Sequence, residues 1–210
     1  MRGFGFNRRA AVRHLIEADP ELAPVIDAIG PFRMELKQSR SLFGALAEAI
    51  VYQQLSNKAA ATIYGRVEAL FPRATDGFTP RHILKADGAA LRGCGLSRAK
   101  VLAVQDLAAK VHGGELPTLD EALTLADAEL VERLVTVRGI GRWSAEMFLM
   151  FRLGRPDVLP LDDYSLRKGY ARAFGKRTLP SPRTLERHGE KWRPYRTVAS
   201  WYLWRAVEQK

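Results

Sequence analysis

The stretch from Leu130 to Asp163 concentrates the residue types and spacings with the most chemical content. Val137-Arg138-Gly139-Ile140-Gly141 joins two helical patterns in a very tight hairpin. Glycines at 139 and 141 permit positive φ and let another backbone come close. They bring the hairpin amides to the N-terminus of the second helix, where free N–H groups and the helix dipole favour phosphate. A Gly-x-Gly between helices is usually just a turn, so this one gains meaning from its downstream neighbours. After one further helix comes Arg155-Pro156-Asp157-Val158-Leu159-Pro160-Leu161-Asp162-Asp163-Tyr164. Two adjacent carboxylates there stand between a proline-bounded loop and a predicted helix. One helix cap suffices, so capping explains Asp162 and leaves Asp163 over.

Other site chemistries are poorly served. Cys94 is the single cysteine, which excludes an intrachain disulfide and a four-cysteine zinc or iron–sulfur site built from this chain alone. It sits between two glycines in what reads as a loop, a weak setting for a nucleophile. His14, His82, His112 and His188 are scattered without ligand-like spacing, so no transition-metal site is expected. No apolar stretch reaches the ~18–20 residues that span a bilayer. The basic start, Met1 to Arg13, lacks the apolar core of a signal peptide.

Charge points outward to a polyanion. Lys plus Arg is 33 against 23 Asp plus Glu, a net charge of +10 over 210 residues. An arginine-rich proteome could also produce this, since Arg outnumbers Lys 24 to 9. The distribution says more. Residues 162–205 hold eleven basic side chains and four acids, whereas Glu115 to Glu132 holds six acids and no Lys or Arg. A one-sided footprint on nucleic acid has that form, as does a solvated helical face.

The elements that must position these groups read as helices almost throughout. Residues 7–18 carry Ala11, Leu15 and Ile16 on one face, and Asp19-Pro20 ends the pattern. A short helix through Val25 and Ile26 closes at Gly30-Pro31. From Ser41 to Phe71 the apolar residues recur at three- and four-residue steps, interrupted by Gln53-Gln54-Leu55-Ser56-Asn57, which predicts two helices and a turn. A loop is expected from Pro72 to Pro80. Ser97 caps a helix ending at Gly113-Gly114, Asp127 caps another, and a third clear helix runs from Arg142 to Leu153 before Gly154. Period-two alternation is not sustained anywhere, so the predicted class is all-α.

With those residues in view, the sequence resembles the helix–hairpin–helix DNA glycosylase superfamily. Leu134-x-x-Val137-Arg138-Gly139-Ile140-Gly141-Arg142-Trp143-x-Ala145 and Pro156-Asp157-Val158-Leu159-Pro160-x-Asp162-Asp163 carry the resemblance. Within the superfamily the chain is similar to the alkylpurine, AlkA-like branch of 3-methyladenine-DNA glycosylase II. Ala18-Asp19-Pro20-x-Leu22-Ala23-Pro24-Val25-Ile26, Ala49-Ile50-Val51-Tyr52-Gln53-Gln54-Leu55-Ser56-x-Lys58-Ala59-Ala60 and Trp192-x-Pro194-x-Arg196-x-x-Ala199-x-x-x-Leu203-Trp204 agree with it. The likeness runs from about residue 10 to 205.

The resemblance implies roles. Asp163 matches the catalytic aspartate, whose carboxylate would stabilise oxocarbenium charge on a deoxyribose and orient or deprotonate a water. Asp162 is left to cap the following helix. Trp143 occupies the place of the Schiff-base lysine of bifunctional members, and an indole cannot do that chemistry. Trp143, Trp204, Tyr52 and Met147 match the base pocket, where indoles would favour an electron-poor alkylated base. Met147 replaces a tyrosine of some members, which alters the pocket. Gln53, Gln54 and Leu55 match the wedge that fills the gap left by a flipped base, with Gln54 or Leu55 as the plug. Arg138, Gly139, Ile140, Gly141 and Arg142 would meet DNA phosphate. The carbonyls of Val135, Val137 and Ile140 would hold a Na⁺ or K⁺ bridging to it. No cofactor is expected for catalysis.

The implied architecture is two helical subdomains with a lesion-binding cleft between them. Residues 1–44 would pack with 166–210, and 45–165 would form a central bundle containing the helix–hairpin–helix at 128–153. The implied activity is monofunctional: the enzyme flips an alkylated base from duplex DNA and hydrolyses its N-glycosidic bond, leaving an abasic site. It would act as a monomer in the cytoplasm, associated with the nucleoid and with no membrane partner. A bifunctional glycosylase/lyase for oxidised bases and a non-catalytic helix–hairpin–helix DNA binder are the alternatives. Trp143 argues against the first, and Asp163 with the pocket tryptophans against the second.

Overall fold

The computed structural model describes residues 3–74 and 77–208. Residues 75–76 of the expected Pro72–Pro80 loop lie outside the described residues, as do residues 1–2 and 209–210 of the predicted terminal segments. Thirteen α-helices and no strand are found among the described residues. None of these helices is long and apolar enough to cross a membrane.

The chain opens with α1 (Arg8–Ala18) and α2 (Ala23–Ile29). There follow α3 (Leu42–Tyr52), α4 (Asn57–Ala69), α5 (Pro80–Lys85), α6 (Gly88–Gly93) and α7 (Arg98–His112). Next come α8 (Leu119–Thr124), α9 (Asp127–Leu134) and α10 (Arg142–Phe148), the last widening into a π-helical turn over Leu149–Leu153. The C-terminal part is α11 (Tyr164–Ala173), α12 (Pro182–Gly189), a 3₁₀ turn (Glu190–Trp192) and α13 (Arg196–Glu208).

Helix starts follow local chemistry. Asn7, Ser41, Ser56, Ser97 and Ser181 each accept a backbone N–H of the first turn, satisfying a donor that the helix itself cannot. Asp127 is a correction: the cap of α9 is Ala126, without a side-chain bond, and Asp127 is the first helical residue. Its charge still suits the positive end of the helix dipole.

The helices form two compact units, Ser39–Phe148 and Met1–Gln38 with Leu149–Lys210. The boundaries differ from 44/45 and 165/166. Leu149–Asp163 belongs with the terminal helices because α13 holds it. Thr197 Oγ1 donates to Arg155 O at 2.6 Å and accepts from Val158 N at 3.1 Å, and Thr197 N donates to Pro156 O at 2.9 Å.

The 39–148 unit is organised on α3, whose Leu42, Phe43, Leu46, Ile50 and Val51 are all buried, with α4, α7 and α10 against it. Burial on every face is what an all-round apolar helix requires. In the other unit α13 is the central element, burying Val198, Trp201, Tyr202 and Leu203. α11 crosses it at Gly169, where a Cβ would fall 1.9 Å from Leu203 O, so only glycine permits the approach. Trp192 is wholly buried there. Its indole N–H donates to Asp19 Oδ2 at 2.8 Å, the oxygen that also pairs with His188 Nε2 at 2.6 Å.

Candidate functional site

Asp163 is the N-cap of α11, which corrects the assignment of that role to Asp162. Pro160 O accepts the N–H of Asp163 at 3.1 Å, so Leu161 and Asp162 are spent in a turn and the helix starts one residue later. Asp163 Oδ1 accepts the N–H of Leu166 at 2.6 Å and the indole N–H of Trp204 at 3.1 Å. Two donors on one oxygen fix the direction of a half-buried carboxylate. Asp162 is exposed.

The loop that presents Asp163 is held by charge. Asp157 accepts from Arg193 Nη1 at 2.6 Å and from Arg196 Nε at 2.7 Å, and Arg196 Nη2 also donates to Asp157 O at 3.0 Å. Arg193 also bonds Glu190, and that hydrogen bond holds the Glu190 carboxyl below its usual range. These arginines stand at the start of α13, so its N-terminus and the loop before Asp163 form one framework.

Of the four expected pocket residues, Trp204 donates to Asp163. It is half-buried and stacks on Phe151, ring centroids 5.9 Å apart at 22°. Trp143 and Met147 are four residues apart on α10, one turn from each other on the same side. Trp143 is 47% exposed, unusual for an indole with no interface to fill. Tyr52 ends α3 and is half-buried. Trp192 and Trp201, by contrast, are core.

The turn after α3 separates the three wedge residues. Gln53 bends back and donates through Nε2 to Gly139 O at 2.9 Å, whereas Gln54 and Leu55 are exposed. Gln54 has φ +58°, the left-handed region a glutamine rarely adopts, and this reverses the chain at the tip. The turn is anchored by Lys100, a residue that spacing does not reveal. Lys100 Nζ donates to Val51 O at 2.7 Å and to Gln53 O at 2.8 Å, closing the C-terminal end of α3. Burial pulls the Lys100 ammonium below its usual pKa.

In the hairpin Gly139 has φ +81°, as its role in the turn requires. Arg138 N donates to Asp106 Oδ2 at 2.8 Å and Ile140 N to Val137 O at 3.0 Å, so neither amide is left for a ligand. Among the described residues no protein acceptor takes the N–H of Gly139 or Gly141. Arg138 and Arg142 are exposed, and Arg142 Nε lies 3.3 Å from Glu146 Oε1. Asp106 is the second residue that spacing does not reveal. Burial alone would raise its carboxyl, but the Arg138 N–H and Lys110 ammonium overcome this and hold it below the usual range.

Val135 caps the C-terminal end of α9, and Val137 and Ile140 lie in the hairpin beyond it. Carbonyl oxygens at the negative end of a helix, each with a second lone pair, suit a hard alkali cation. No cluster of three His, Cys, Asp or Glu able to hold a metal occurs among the described residues. Cys94 lies in the turn that follows α6, as its C-cap. It is buried, its Sγ donates to Ala90 O, and burial pushes the thiol pKa up.

Basic charge divides into paired and unpaired sets. Lys168 and Arg172 stand one turn apart on the outer face of α11, with Lys176 just beyond it, exposed and without an acidic partner among the described residues. Arg193, Arg196 and Arg205 are neutralised by Asp157, Glu190 and Glu208.

The model of the HhH-GPD superfamily base excision DNA repair proteins matches residues 47–194. DNA-3-methyladenine glycosylase 1 of Schizosaccharomyces pombe is 36% identical over 201 residues, covering 91% of this chain and 84% of that protein. Among solved structures, the S. pombe 3-methyladenine DNA glycosylase Mag1 in complex with abasic DNA superposes with a TM-score of 0.83. It is 34% identical, covering 95% of this chain and 97% of that one. The DNA-3-methyladenine glycosidase of Bacillus halodurans superposes with a TM-score of 0.85 at 36% identity, covering 94% of this chain and 88% of that one. This chain belongs to the HhH-GPD superfamily of base excision DNA repair proteins.

Proposed function

We propose that the protein is a monofunctional DNA glycosylase of base excision repair, acting on alkylated bases in duplex DNA and leaving an abasic site. The observation that carries this reading is the carboxylate of Asp163, aimed by Leu166 N–H and Trp204 N–H, in a chain 36% identical to a 3-methyladenine glycosylase. In the proposed reaction the base is extruded, the C1′–N bond breaks and its electron pair neutralises the departing cationic base. The oxygen of a water then bonds C1′, and the water proton leaves through Asp163 to solvent. Asp163 stabilises the charge that develops on the sugar.

The indoles of Trp143 and Trp204, with Tyr52 and Met147, are proposed to receive the base. An electron-rich surface favours a cationic purine over a neutral one. Exposed Gln54 and Leu55 are proposed to fill the vacated stack, whereas Gln53 is engaged with Gly139. The amides of Gly139 and Gly141, with Arg138 and Arg142, are proposed to bind phosphate. The carbonyls of Val135, Val137 and Ile140 are proposed to hold a Na⁺ or K⁺, which would supply positive charge toward DNA phosphate. The protein would work as a monomer in the compartment that holds the chromosome, the cytoplasm with its nucleoid.

The test is a panel of duplex oligonucleotides, each with one alkylated or deaminated base, incubated with wild type and Asp163→Asn. Expected are strand breaks only after hot alkali, lost in the variant, whose asparagine still caps α11. Breaks without alkali, through an imine trapped by borohydride, would instead make it a glycosylase/lyase. Duplex binding without release of any base would make it a binding protein.

A further inference from the structure

Two charged side chains on α7 reach the turn after α3 and the hairpin after α9. Near its start Lys100 donates to Val51 O and Gln53 O, fixing the turn that carries Gln54 and Leu55. Two turns later Asp106 accepts Arg138 N–H, fixing the hairpin. The two lie six residues apart, about 9 Å along a rigid helix. Between them Ala103 lies against the hairpin, its Cβ 3.4 Å from where a Cβ on Gly139 would stand. Gln53 Nε2 closes the circuit by donating to Gly139 O at 2.9 Å.

We infer that α7 is a brace, with Lys100 and Asp106 as positioning residues that hold the wedge turn at a fixed distance from the phosphate-binding hairpin. The inference rests on the proposed function for what those loops touch. A wedge does useful work only against a clamped backbone. If the turn could retreat from the hairpin, re-stacking of the extruded base would push it out. The left-handed Gln54 makes such a tie necessary, because a non-glycine residue holds that conformation only where its surroundings impose it.

Ordinary capping would account for the Lys100 bond to Val51 O at the end of α3. The bond to Gln53 O, the carbonyl of the C-cap residue, belongs to the same account, but the second anchor on the same helix, Asp106 to Arg138 N–H, does not. Lys100 is half-buried and both its bonds are shielded in part from the water that weakens exposed pairs, whereas the Asp106 bond to Arg138 N–H lies at the surface. Lys110 completes the Asp106 end at 2.7 Å, leaving the hairpin side of the carboxylate to Arg138 N–H.

The test separates extrusion from bond cleavage. A duplex carrying 2-aminopurine in a mispair is bound by wild type, Lys100→Met, Asp106→Ala and the double variant. Extrusion is read as fluorescence at saturating protein, with the thermal midpoint of each variant measured alongside. Each single variant is expected to lower the extrusion equilibrium on the order of tenfold, the scale of a charge-assisted hydrogen bond. The double variant is expected to fall no further than the worse single, because either change breaks the same linkage. When the 2-aminopurine stands opposite a gap, where nothing need be displaced, Lys100→Met is expected to behave as wild type. Losses that multiply in the double variant, or equal losses opposite a gap, overturn the brace. Should Lys100→Met not fold, Asp106→Asn, which keeps an acceptor for Arg138 N–H, must restore most of the extrusion lost in Asp106→Ala. Failure to do so also overturns it. A wild type that extrudes 2-aminopurine yet releases no damaged base would overturn the glycosylase reading while leaving the brace to be judged by fluorescence alone.

Discussion

The indole of Trp204 donates to the same carboxylate oxygen of Asp163 that closes the first turn of α11, at 3.1 Å. The cap fixes where the carboxylate sits and the indole fixes how it is turned. Trp204→Phe keeps a ring to stack on Phe151 but loses the donor. Excision at saturating enzyme is expected to fall roughly tenfold, the value of one hydrogen bond to a charged group. The thermal midpoint is expected to move by only about a few degrees. Single-turnover kinetics and calorimetry check both, and an unchanged rate would remove Trp204 from the site.

Gly169→Ala tests the crossing that brings those two residues together. Its Cβ would lie 1.9 Å from Leu203 O, and backbone cannot yield as a flexible side chain can. The change is expected to cost about 3 kcal/mol or more, the upper range for overpacking. For a chain of this size that lowers the melting temperature by roughly 6–12 °C. Gly65→Ala, with nothing within 4 Å of the added atom and an ordinary helical backbone, is the control and is expected to be neutral or slightly stabilising.

The features legible in the sequence are the local ones. Ser97 caps the helix it precedes, as its position before an apolar stripe indicates, because a cap needs only its own first turn. The hairpin is visible because its glycines and flanking apolar residues lie within a dozen positions. The choice between Asp162 and Asp163 is not, since it depends on how far the Pro160 turn extends before α11 begins. Six-residue α5, α6 and α8 are too short to show a period. Gly169, Lys100 and Asp106 owe their roles to partners more than thirty residues away in the chain, and spacing carries no information about those.

The unpaired basic face of α11 should govern affinity without governing chemistry. Replacing Lys168, Arg172 and Lys176 with glutamine is expected to weaken binding to undamaged duplex uniformly across sequences. The slope of log K against log salt should shrink by roughly 0.9 for each phosphate no longer neutralised, so by about 2.7 if all three engage. Single-turnover excision at saturating protein should hold. The same exchange at Arg193 or Arg205, already neutralised by acids, is expected to leave the slope alone. Titrations across a roughly fourfold range of salt decide this, and an unchanged slope in the triple variant would leave the face merely solvated.

Alkaline stability should be set partly by Tyr202. Its ring is fully buried, its hydroxyl donates to Gly30 O at 2.9 Å, and burial pushes its pKa up to about 12. An unfolded tyrosine ionises near pH 10, so the folded state resists an ionisation that the unfolded state undergoes readily. Because the folded value is the higher one, the stability it contributes is complete below pH 10 and is lost as pH climbs through about 12. Tyr202→Phe is expected to cost about 1 kcal/mol at neutral pH for the lost hydrogen bond. It should also flatten the fall in denaturant midpoint between pH 10 and 12. Some slope will survive, because Tyr170 is held up as well, by burial and by the charges of Asp19 and Glu21. Urea midpoints at pH 8, 10 and 11 check the prediction, and parallel pH curves for the two proteins would refute it.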